Sequence, residues 1–128
     1  MNRCLADTSM FIARESGRPM DREVIPDEIA VSVITIGELR MGVIAAPSPE
    51  VAHRRLETLL KAMHFEPLPI TAGIAGIWAT LIVSLTQEGR RLPVNDSWIA
   101  ATALAYDVPV VTQDADFDGV PGLHVIKV

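Results

Sequence analysis

The stretch PVVTQDADFDG, residues 109–119, sets an apolar β-branched run directly ahead of three carboxylates at alternate positions, Asp114, Asp116 and Asp118. How it is read decides the fold. A calcium loop of the form D-x-D-x-D-G needs a helix before it and a bidentate glutamate at its twelfth position. Position twelve falls on Val125, and the residues ahead of Asp114 carry strand signals. The segment 108–112 is therefore read as a buried-type strand that delivers acids at its carboxyl end.

The rest of the chain agrees with that reading. Residues 3–6 form a short strand ending at Asp7-Thr8-Ser9, where a helix can begin. A second strand covers 29–33, and an apolar helix covers 34–46, ended by Pro47 and Pro49. Residues 50–64 are charged on one side and apolar at Val51, Leu56, Leu59, Leu60 and Met63, the mark of a surface helix. A brief strand is expected at 66–68, then a long helix closing near Gly89. Asn95-Asp96-Ser97 precedes an Ala-rich helix at 98–106, and 124–128 is a last strand. Strands alternating with helices predict an α/β fold with a mainly parallel central sheet.

The totals fit one domain over residues 1–128. Hydrophobic residues are 49% and charged residues 21%, which suits a packed core. A net charge of −5 argues against binding nucleic acid mainly through a broad basic face, but not against a nuclease whose clustered acids hold cations. The single cysteine, Cys4, cannot pair internally, so a reducing cytoplasm is expected. No charge interrupts residues 67–87, yet prolines and small polar residues dilute the stretch, so it is read as a strand and a buried helix rather than a membrane span. Nor is a secretory signal expected, because Asp7 breaks the first apolar stretch.

Parallel sheets gather ligands beyond the carboxyl ends of their strands, and the acids are weighed against that geometry. Asp7 is either a helix N-cap or a strand-end carboxylate. Glu38 lies in a helix that is apolar nearly all round, where a carboxylate needs a partner or a metal. Asp96 is either the cap of the helix at 98–106 or a ligand. Two like charges 4 Å apart repel by about 4 kcal/mol at an effective dielectric near 20. Converging acids therefore need a cation, and with oxygen ligands and no Cys or His cluster it should be Mg²⁺ or Mn²⁺.

Two other acidic α/β designs fail on their lysines. A haloacid-dehalogenase phosphatase carries its D-x-D on an early strand, and a receiver domain needs an early acidic pair and a late lysine. Here Asp7 stands alone, and Lys127 is the only lysine after Asp118. His53, His64 and His124 have no evident partners for metal-free acid–base chemistry.

The segments LADTS (5–9), SVITIGELRMGV (32–43), PVNDSWIAATALA (93–105) and VVTQDADFD (110–118) together resemble a PIN-domain ribonuclease, and within that family the VapC toxins of toxin–antitoxin pairs. The resemblance runs nearly the whole length. It implies a PIN-like fold and Mg²⁺-dependent endoribonuclease activity, with tRNA or ribosomal RNA cut by a metal-activated water. The implied catalytic acids are Asp7, Glu38, Asp96 and Asp114, with Asp116 auxiliary. Asp7, Glu38, Asp96 and Asp114 are also the implied metal ligands, Asp7 and Asp96 foremost, and Thr8, Ser9 and Thr112 support them.

The same resemblance implies a VapB-like antitoxin and a homodimer. Arg14 and Arg40 are the first candidates to grip RNA, with Arg18, Arg90 and Arg91 behind them. Trp78 and Trp98, in apolar helices, are read as core or interface.

Overall fold

In the computed structural model, which describes residues 2–128, four strands form one parallel sheet in the order β2-β1-β3-β4. They are β1 (Arg3–Ala6), β2 (Glu28–Val31), β3 (Val110–Thr112) and β4 (Val125–Lys127). Alternate residues of a strand face opposite sides of a sheet. Leu5 and Val110 accordingly enter one core, with Leu81, Leu85, Ile99 and Phe117. Cys4, Ala6 and Val111 enter the other, with Met10, Phe11, Leu39 and Leu59. The sheet thus lies between two helical layers, as predicted.

Five helices supply those layers: α1 (Thr8–Ser16), α2 (Val33–Ile44), α3 (Pro49–Met63), α4 (Ala72–Gln87) and α5 (Val94–Tyr106). α2 packs on α3, and α4 on α5. Four helices start where a side-chain oxygen accepts an amide of the first turn: Asp7 for α1, Ser32 for α2, Ser48 for α3 and Thr71 for α4. None of the helices is long and apolar enough to cross a membrane.

Three expectations change. The strand at 66–68 is a single bridge, Ser32 to Leu68, because Pro67 and Pro69 flank it without amide hydrogens. The last helix begins at Val94 rather than Trp98, so Asp96 sits inside its first turn and is not its cap. The helix read as buried within 67–87 is α4, and it is not buried all round, with Val83 56% exposed; the apolar α2 likewise leaves Met41 61% and Ile44 78% exposed.

In the strand order, β2 lies on one side of β1 and β3 on the other. The crevice between β1 and β3, beyond their carboxyl ends, is the switch point where such sheets bind ligands. Asp7 follows β1 there and Asp114 follows β3, two residues beyond Thr112.

Candidate metal centre

Asp7 emerges from β1 and is 2% exposed. Its Oδ2 accepts the Ser9 amide at 3.3 Å and the Thr112 hydroxyl at 2.8 Å. Both readings of Asp7 therefore hold at once: it caps α1 and it stands at the strand end.

The hydroxyls around it have fixed directions. Thr112 spends its one proton on Asp7, so the 3.0 Å contact between Ser9 Oγ and Thr112 Oγ1 must be donated by Ser9. Ser9 Oγ in turn accepts the Gln113 amide at 3.0 Å, and Thr112 Oγ1 accepts the Asp114 amide at 2.8 Å. A second relay is built the same way. Thr8 donates to Glu38 Oε1 at 2.7 Å, so Thr35 donates to Thr8 at 2.9 Å. Each chain of hydroxyls ends on a carboxylate, and no buried side-chain oxygen or nitrogen lacks a partner among the described residues.

Asp114 caps the 3₁₀ turn Ala115–Phe117, its Oδ1 accepting the Asp116 amide at 2.9 Å. This brings carboxylate oxygens of Asp96, Asp114 and Asp116 within 4.8 Å of one another. Asp7 and Glu38 stand beside that group, and their charges act on Asp96. Its carboxyl is raised from 3.8 to about 7, first by burial and then by the charges of Asp7, Asp114, Glu38 and Asp116. The α5 N-terminus favours a carboxylate by about 1 kcal/mol at most such positions, and burial with four neighbouring acids outweighs it. Without a cation the cluster relieves its repulsion by keeping a proton. The donor set, carboxylate oxygens only, suits a hard divalent ion such as Mg²⁺ or Mn²⁺.

Asp96 is placed by contacts that the sequence reading missed. Pro93 precedes α5 without a side-chain cap. In place of a cap, Trp78 Nε1 donates to Ser97 Oγ at 2.8 Å, and the Ser97 hydroxyl donates to the Val94 carbonyl at 2.5 Å. The rings of Trp78 and Trp98 stack with centroids 4.3 Å apart and planes 4° apart, fastening α4 to α5. Thr35 was also missed, although its place three residues before Glu38 on one helix was a usable signal.

Of the expected RNA contacts, Arg40 and Arg14 are exposed, and neither makes a side-chain hydrogen bond or ion pair among the described residues. Arg14 lines a groove of mixed charge between α1 and α3, with Arg54 and Lys61 but also Glu15 and Glu57. Asp118 pairs with Lys127 at 3.1 Å and takes no part in the acid group. Cys4 is buried, and burial pushes its thiol up to about 11, which leaves it inert. It lines an apolar cavity of about 250 Å³ with Leu5, Ile29 and Tyr106, reached from the Arg3 and Glu28 ends of β1 and β2, opposite the acids.

A parallel sheet with acids converging at its β1/β3 switch point defines an α/β protein with a candidate metal centre, and comparison narrows it. The PIN domain family model matches residues 4–123. The chain is 46% identical to Ribonuclease VapC5 of Mycobacterium tuberculosis, over 95% of this chain and 93% of that one. It is 45% identical to Ribonuclease VapC4 of the same organism, over 100% and 98%. The crystal structure of VapBC-5 from M. tuberculosis contains a chain that superposes with a TM-score of 0.91 at 40% identity, over 100% of both chains. The chain belongs to the PIN-domain family, in its VapC-like group.

Proposed function

We propose that this protein is a Mg²⁺-dependent endoribonuclease, the toxin of a VapBC-type toxin–antitoxin pair. The observation that carries the reading is the group of Asp96, Asp114 and Asp116, carboxylate oxygens within 4.8 Å of one another, flanked by Asp7 and Glu38. Asp7, Glu38, Asp96 and Asp114 would hold a divalent ion, which would supply an acidified water as nucleophile and offset charge on the scissile phosphate.

The chain's own groups do the rest. Asp96, Asp114, Asp7 and Glu38 are the ligand set, with Asp116 completing it. The hydroxyl relays through Ser9 and Thr112, and through Thr35 and Thr8, hold Asp7 and Glu38 in single orientations. Arg40 and Arg14 are exposed and free to meet phosphates. The substrate is RNA, with tRNA or ribosomal RNA as the expected class, and cleavage by water leaves a 5′-phosphate.

The partner is a VapB-like antitoxin, and the exposed apolar side chains of Met41 and Ile44 on α2 offer it, or a second protomer in a homodimer, surface to cover. A reducing cytoplasm suits the unpaired Cys4. The test is cleavage of total RNA by purified protein with Mg²⁺, with EDTA, and for Asp96→Asn. Loss of cleavage in the last two supports the reading, and cleavage that survives both would sink it.

A further inference from the structure

Arg90 follows Gly89 beyond the end of α4, half-buried, where sequence reading grouped it with the RNA-facing cations. Its guanidinium is already engaged. Nη2 donates to the main-chain carbonyl of Asp116 at 3.2 Å and to that of Asp118. Both carbonyls belong to the 3₁₀ turn that presents Asp116 or to the residue just after it. Gly119 completes the arrangement: its φ is +70°, and a Cβ there would lie 3.2 Å from Arg90 Nη1. Glycine at this position therefore both permits the turn and leaves room for the guanidinium.

We propose that Arg90 is a positioning residue for the metal centre, clamping the Ala115–Phe117 turn so that the Asp116 carboxylate stands with those of Asp96 and Asp114. The inference rests on the proposed reading that these acids hold a divalent cation. A planar guanidinium can hold two carbonyls at once, which a lysine ammonium on a flexible stem does less well. Arg91, the next residue, is exposed and makes no side-chain hydrogen bond or ion pair among the described residues, so it serves as the control.

Positioning and simple charge predict opposite signs. A guanidinium near a cation site repels the cation, so a role through charge alone means that Arg90→Ala tightens cation binding. A role through position means that Arg90→Ala weakens it, because residues supporting a metal's ligands cost about tenfold or more in affinity when removed. A phosphate-gripping role leaves cation affinity unaffected in the absence of RNA.

The experiment is calorimetric titration of Mn²⁺ into RNA-free protein for the wild type, Arg90→Ala, Arg90→Lys and Arg91→Ala. The expected result is binding about tenfold weaker in Arg90→Ala, intermediate in Arg90→Lys, and unchanged in Arg91→Ala. Should Arg90→Ala fail to fold, Arg90→Lys and Gly119→Ala carry the test, since the added Cβ crowds the guanidinium; both should weaken Mn²⁺ binding. Unchanged or tighter Mn²⁺ binding in the Arg90 variants overturns the clamp. A wild type that takes up no Mn²⁺ overturns the metal-centre reading itself, and the clamp with it.

Discussion

Thr112 and Asp7 meet across 105 positions of chain, the threonine hydroxyl donating to Asp7 Oδ2 at 2.8 Å, with both residues buried. Because that hydroxyl also accepts the Asp114 amide, one side chain ties the end of β1 to the end of β3. Thr112→Val keeps the shape and deletes these two contacts together with the one accepted from Ser9. The expected loss is about 1–3 kcal/mol, the cost of leaving buried polar groups unpaired. It should appear as a lower urea midpoint with an unchanged slope. Thr112→Ser retains the hydroxyl and should recover most of it, so equal midpoints for the two variants would remove Thr112 from this role.

Asp96 sets a pH dependence whose sign follows from its raised carboxyl, at about 7 against an ordinary 3.8. Between those values the folded, metal-free protein keeps a proton that the unfolded chain has lost. Its contribution to stability is therefore present below about pH 4, declines as pH rises toward 7, and is flat above. In EDTA, Asp96→Asn should gain melting temperature relative to the wild type across that window. Added Mg²⁺ should stabilise the wild type more at pH 8 than at pH 5. A difference between variant and wild type that does not change with pH contradicts the assignment.

Trp78→Phe separates stacking from hydrogen bonding. The ring pair with Trp98 survives, while Ser97 loses its indole donor. A loss of about 1 kcal/mol in stability is expected. RNA cleavage should fall as well, because the first turn of α5 carries Asp96. Unchanged stability and unchanged cleavage would show that the Ser97 contact does not steady that turn.

The acids around the 3₁₀ turn should divide cleanly in a cleavage assay. Asp114→Asn and Asp116→Asn are expected to lose activity and Mn²⁺ binding together. Asp118→Asn removes only an exposed ion pair with Lys127 and should change stability by no more than about 0.5 kcal/mol. Comparable losses in all three would mean that the turn acts through its net charge rather than through placed ligands.

Much of this was legible in the sequence. The apolar runs ahead of Asp7 and Asp114 announced strands, and their acids fell at strand ends because parallel strands finish on one edge of the sheet. Glu38 stood out because its helical neighbours are apolar. The start of α5 was misread for a local reason: Asn95-Asp96-Ser97 is a good cap sequence, while the contact that steadies the first turn comes from Trp78, 19 positions upstream. The same limit hid Arg90, whose role depends on the path of a turn that no pattern in residues 85–95 records. The exposed apolar side of α2 escaped notice because periodicity shows which residues are apolar, not how many faces a neighbour covers.

The tie between Thr112 and Asp7 bears on how the protein is born. A ribosome delivers Asp7 and Glu38 early, but β3, the turn behind it and Arg90's two carbonyls come last, and β1 cannot finish pairing until Val110 and Val111 arrive. Contacts of such long sequence separation also close slowly. A nascent chain therefore carries Asp7 and Glu38 with nothing to complete them. On the proposed reading of this centre as an RNA-cutting site, the order of synthesis is itself a safeguard: the site is completed only when the making is nearly done.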